Sequence, residues 1–109
     1  METSFLEKLL AFYKAEPDDP FNAYALALEY QKYDSSKASS LFEELLHSHP
    51  DYLPTYYHAA QFFGDLADAE LVRNIYTKGI ELAAIQQNTR AQQELSRAFR
   101  TFEEEQMEW

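Results

Sequence analysis

The sequence predicts an all-α chain of stacked helical repeats, and three observations carry that prediction. Two glycines (Gly64, Gly79) and four prolines (Pro17, Pro20, Pro50, Pro54) supply all the strong punctuation, and no strand is needed between them. Apolar residues recur at steps of three and four, the period of a helix with one buried face. The chain also repeats itself: Pro17-Asp18 returns as Pro50-Asp51, 33 positions on, and Ala38, Phe42 and Leu46 return as Val72, Tyr76 and Ile80, 34 positions on. A period near 34 is that of a helix-turn-helix unit, several of which must stack before a continuous core is buried.

Taken in order, Phe5, Leu6, Leu9, Leu10, Phe12 and Tyr13 form the apolar face of a first helix over Ser4–Ala15. It ends in Glu16-Pro17-Asp18-Asp19-Pro20, much as the later stretch Ser48-His49-Pro50-Asp51 ends a repeat, so residues 1–16 read as half a unit. Phe21–Tyr33 is the second helix, preceded by Asp and Pro residues suited to a helix start and rich in alanine and tyrosine. Leu41, Phe42, Leu45 and Leu46 mark a third, after a turn expected at Tyr33-Asp34-Ser35-Ser36. Leu53–Leu66 is the fourth, apolar on more than one side, and Leu71, Val72, Ile75, Tyr76 and Ile80 mark a fifth. Asn88–Gln106 closes the series, with Ala91, Leu95, Ala98, Phe99 and Phe102 on one stripe and Arg90, Arg97 and Arg100 elsewhere, as a capping helix with one wet face would have. The expected organisation is one domain over 1–109: a half-repeat at 1–16, repeats at 17–49 and 50–84, and a cap at 88–106.

Composition narrows the functional classes. A chain of 109 residues that is 46% hydrophobic and 16% aromatic has the apolar surface for a core without disulfide or metal support. The absence of cysteine removes thiolate nucleophiles and cysteine zinc sites, and suits a reducing compartment, so the cytoplasm is expected. Met1 to Lys8 lacks a basic region followed by an apolar stretch, and no apolar run approaches the roughly 20 residues that span a bilayer. Neither export by a cleaved signal nor membrane insertion is expected. With 19 acidic against 9 basic residues, a formal net charge of −10, the chain repels phosphate backbones and anionic lipid, so nucleic acid and membrane surfaces are not expected partners.

Within the repeats, Leu26-Ala27-Leu28-Glu29-Tyr30 is followed by Ala38-Ser39-Ser40-Leu41-Phe42 and closed by Pro50. The second unit has Ala59-Ala60-Gln61-Phe62-Phe63, then Val72-Arg73-Asn74-Ile75-Tyr76 with Gly79, and carries Ala83 and Ala84 where a closing proline would fall. These residues resemble the tetratricopeptide repeat family, whose signature is Leu-Gly-x-x-Tyr, then Ala-x-x-x-Phe, then Pro. The whole chain resembles small bacterial members with two repeats and flanking helices, most strongly between Pro17 and Leu82. The resemblance implies an α-α superhelix, a right-handed stack of about six helices. Ala27, Ala38, Ala60 and Gly79 would allow neighbouring helices to approach, and Tyr30, Phe42, Phe63 and Tyr76 would fill the space between pairs.

The resemblance also implies a function. First helices of such repeats line a concave groove that takes peptides or helices, and the positions carried over are Phe21, Tyr24, Leu28, Gln31 and Lys32 in the first repeat and Tyr57, Gln61 and Asp65 in the second. That groove is aromatic and polar rather than basic. Members that clamp a C-terminal carboxylate use Lys, Arg and Asn there, and only Lys32 answers that pattern, which argues against chaperone-tail binding. Tyrosine suits an anchor, having large area and few rotors, yet a tyrosine at helical spacing more often packs against its neighbouring helix, and Tyr24 and Tyr57 read first as support and second as ligand contacts.

No chemistry competes with this reading. His47 and His49, two apart on a helix, point in different directions and do not match a metal-ligand spacing. His58, in the second unit's first helix, reads as a satisfied or exposed imidazole rather than a general base. The carboxylate runs Glu43-Glu44 and Glu103-Glu104-Glu105 are those of solvated helix faces, and the isolated glycines form no phosphate loop. No catalytic residue, metal or cofactor is expected. Three readings remain, in falling order: a non-catalytic adaptor that binds a protein or peptide segment, a self-associating protein in which Phe99, Phe102, Met107 and Trp109 seal the last repeat or join a second copy as a homodimer, and an unrecognised enzyme or metal protein.

Overall fold

In the computed structural model, residues 4–66 and 68–107 are described. They form six helices: α1 (Phe5–Ala15), α2 (Pro20–Tyr30), α3 (Ser35–Ser48), α4 (Pro54–Gly64), α5 (Ala69–Ile85) and α6 (Thr89–Gln106). There is no strand among the described residues, and the architecture is the all-α helical repeat expected from the sequence.

Side-chain caps set most helix starts. The Ser4 hydroxyl accepts from the Glu7 N–H at 3.1 Å while the Glu7 carboxylate accepts from the Ser4 N–H at 3.4 Å, so two N–H groups at the helix start are satisfied reciprocally. Asp19, Asp34, Asp68 and Asn88 cap α2, α3, α5 and α6 with their side-chain oxygens, and Pro20 opens α2 where no N–H donor is needed. The α5 end uses backbone instead. Asn88 N–H bonds to Ala83 C=O and Gln87 N–H to Ala84 C=O, while Gln87 takes φ 57° in the left-handed region that glycine usually fills.

Several helix bounds differ from the sequence expectation, most of all in α2 and α4. The second helix was expected to run to Tyr33, but α2 stops at Tyr30 because Tyr33 and Asp34 both turn their N–H groups back to the Tyr30 carbonyl, at 2.9 and 2.7 Å. The turn is therefore Gln31–Asp34, and Ser35 and Ser36 belong to α3. Likewise the fourth helix runs Pro54–Gly64 rather than Leu53–Leu66.

The chain divides into two compact units, Met1–Thr55 and Tyr56–Trp109. In the first, α2 packs against both α1 and α3. Ala27, Ala38, Phe42 and Leu45 are completely buried there. Asn22 fastens the end of α1 by donating to the Phe12 and Glu16 carbonyls at 3.2 and 3.0 Å, and Tyr13 on α1 donates to the Glu44 carboxylate on α3 at 2.9 Å. In the second, α5 packs on α6. Val72, Ala59, Ala60 and Ala83 are buried, and Tyr76 stacks on Phe99 with ring centroids 5.3 Å apart. At Gly79 α5 lies close against α4: a Cβ there would stand 2.7 Å from the Tyr56 Cβ, too near for any side chain without movement.

Candidate functional site

Each expected groove residue has a definite place. In the first unit Phe21 sits exposed in the opening turn of α2, its N–H held by the Asp19 carboxylate at 3.0 Å. Tyr24 is half-buried and meets Tyr52 edge to face, centroids 5.7 Å apart. Burial, and then Tyr52, push the Tyr24 hydroxyl above its ordinary pKa. Leu28 is half-buried. Gln31 and Lys32 are exposed but lie beyond the end of α2, a correction that follows from the early turn. Lys32 is also engaged: its ammonium lies 3.0 Å from the carboxylate of Glu29, which is itself buried on α2.

In the second unit Tyr57, Gln61 and Asp65 are brought together. All three line one open cleft of about 680 Å³ between α4 and α6. Tyr57 is half-buried and lies edge to face on His58, while Gln61 donates to the Tyr57 hydroxyl at 3.2 Å, holding both side chains toward the cleft. Asp65 follows the last residue of α4 rather than standing on it. The floor is formed by Ala60, Gly64, Tyr76, Ala98 and Phe102. A Cβ at Gly64 would stand 3.9 Å from the Phe102 ring, an ordinary contact.

The opposite wall comes from α6, through Glu94, Arg97, Thr101, Glu105 and Gln106. Sequence reasoning missed this wall. Glu94, Arg97, Thr101 and Glu105 recur at steps of three and four, so one stripe of α6 was visible, but a polar stripe on a terminal helix reads equally as a solvated face. Only packing against α5 turns it toward α4. The carboxylate of Glu105 makes itself felt on the floor: the Tyr76 hydroxyl is raised above its ordinary pKa by burial first, then by Tyr57 and by Glu105.

The residues expected to seal the last repeat or to join two copies divide. Phe102 is buried and Phe99 is covered by its stack on Tyr76, whereas Met107 is 74% exposed. Trp109 lies outside the described residues. Among the described residues no cluster of three metal-ligating side chains occurs, and no helix is long and apolar enough to cross a membrane. His58 is half-buried, and burial holds its imidazole below the ordinary range. Thr55 is also buried, and its hydroxyl has no hydrogen-bond partner among the described residues.

No protein-family model matches the sequence, and no curated protein matches it. Solved structures do. The chain is 39% identical to the solution structure of a tetratricopeptide repeat domain protein from Salinibacter ruber, over 81% of this chain and 90% of that one, with a TM-score of 0.76. A crystal structure of a tetratricopeptide repeat domain protein from the same organism matches at 38% identity, over 78% and 97% of the two chains, with a TM-score of 0.74. With the repeat register, the buried signature aromatics and this likeness together, the chain belongs to the tetratricopeptide repeat family.

Proposed function

We propose that this protein is a non-catalytic interaction module that binds a peptide or protein segment, and that the cleft between α4 and α6 is a principal contact surface. The observation that carries the reading is the cleft itself: an apolar floor flanked by tyrosine, glutamine and threonine side chains able to meet a peptide backbone. The family's repeats generally serve protein interaction, which supports the same view. On the first unit, Phe21, Leu28 and Gln31 extend the proposed contact set, with Tyr24 as support and Lys32 restrained by Glu29. A cytoplasmic setting, with neither nucleic acid nor membrane as partner, accords with the acidic charge.

The test is a pull-down from the source cells with wild-type protein and with Tyr57→Ala as baits, the variant's helicity being checked first. A protein retained by wild type and lost by the folded variant is the expected result. Equal retention by both baits would remove the cleft from the binding surface.

A further inference from the structure

Charge in the cleft is lopsided. Asp65 from the end of α4 and Glu94 and Glu105 from α6 bring three carboxylates to its walls, against a single guanidinium, Arg97. Outside the cleft two carboxylates have cationic partners, Glu29 with Lys32 at 3.0 Å and Glu103 with Arg73 at 2.7 Å. Within the cleft only Glu94 has such a partner, and that partner is Arg90, 90% exposed and on the same helix. Among the described residues the carboxylates of Asp65 and Glu105 make no hydrogen bond and no ion pair. Two unneutralised carboxylates thus stand on opposite walls of an open cleft whose floor is apolar and aromatic.

We propose that the α4–α6 cleft selects a cationic segment of a partner protein, with Lys or Arg side chains reaching Asp65 and Glu105 and an apolar residue between them seated on Ala60, Ala98 and Phe102. This rests on the reading of the cleft as a protein-binding surface and adds the chemistry of its ligand. Charge complementarity favours this occupant: a second copy carries a net charge of −10, and the cleft carboxylates disfavour it as they disfavour phosphate backbones and anionic lipid. The field of the whole chain draws cations in, and because the cleft is open to water that attraction is screened by salt.

The experiment is selection of short randomised peptides displayed on phage against the immobilised full chain, followed by affinity measurements on one selected peptide. The selected pool is expected to be enriched in Lys and Arg over the starting pool. Its affinity should fall roughly five- to tenfold in the D65N/E105Q variant, rise in R97Q, and be unchanged in D18N/E81Q, which removes the same charge from exposed sites outside the cleft. A pool without cation enrichment whose binding is still lost in Tyr57→Ala overturns the charge selectivity and leaves the protein-binding reading intact. Equal loss in D65N/E105Q and D18N/E81Q also overturns it, since attraction is then to the acidic protein at large. Failure to enrich any peptide would remove both readings.

Discussion

Tyr24 and Tyr57 stand 33 positions apart, in the first helices of the two repeats, and the fold gives them different neighbours. Tyr24 spends its ring on Tyr52, edge to face at 5.7 Å. Tyr57 faces an open cleft, with Gln61 and His58 of its own helix beside it. The charged residues that follow these helices differ in the same sense: Lys32 is tied to Glu29, whereas Asp65 has no partner among the described residues. The repeat period therefore equalises backbone register without equalising availability for a ligand. What decides availability is what the next segment places opposite: an aromatic residue at position 52 in the first unit, and a polar stripe of α6 in the second.

The largest effects should come from the matched core aromatics, Phe42 and Tyr76, 34 positions apart and 0% and 3% exposed. Phe42→Ala and Tyr76→Ala should each cost about 3–5 kcal/mol in urea denaturation, enough to leave either variant near unfolding. Tyr76 also floors the cleft, so a Tyr76→Phe variant that remains folded should alter peptide binding, whereas Phe42→Leu should not. Equal binding effects would erase the distinction between the two units.

Gly79 sharpens the comparison next, because the first unit carries the buried Leu45 at the corresponding place, 34 positions earlier. The Tyr56 side chain occupies the space instead, so Gly79→Ala is expected to destabilise by about 1–3 kcal/mol through overpacking, despite alanine's better helix propensity. A stabilised Gly79→Ala in thermal unfolding would mean that the α4–α5 approach is looser than described.

The tyrosine pair itself gives the third test. Tyr24→Ala should lower stability by about 1–2 kcal/mol, losing both burial and the ring pair with Tyr52. Tyr57→Ala should cost less than half of that while weakening binding. The reverse ranking in paired denaturation and binding assays would place Tyr57 in the core.

The smallest effect concerns pH. The second unit has half-buried His58 where the first has Ala25, again 33 positions earlier. Burial depresses the imidazole pKa in the folded state, so the unfolded chain takes up its proton first. The stability His58 contributes is thus intact above the unfolded value of about 6.5 and is lost as pH falls through the lower folded value. His58→Gln should flatten the decline in denaturation midpoint between about pH 7 and pH 5; an unchanged slope would assign that decline to carboxylates.

Much of the fold could be read from particular residues. Pro17-Asp18 and Pro50-Asp51, with Tyr30, Phe42, Phe63 and Tyr76, set the repeat and its core because helical period and packing volume are local properties of the chain. Helix ends were harder. Asp34 caps α3 and pulls the turn forward to Gln31, a competition between capping and helix propensity that Tyr33 alone does not reveal. Gln87 closes α5 in a conformation that its side chain does not advertise. Of the cleft, the α4 side was legible as Tyr57, Gln61 and Asp65 lining one surface. The α6 side was not, because a stripe of Glu94, Arg97, Thr101 and Glu105 acquires meaning only through the helix packed beside it.

The most direct measurement is site-specific photocrosslinking in the source cells, with a photoreactive phenylalanine analogue placed at exposed Gln61 on the cleft wall or at exposed Ser40 on α3. The account predicts a discrete covalent adduct to another protein from position 61, suppressed by a cationic peptide that binds the cleft, and none from position 40. Adducts from position 40 with none from position 61 would contradict it.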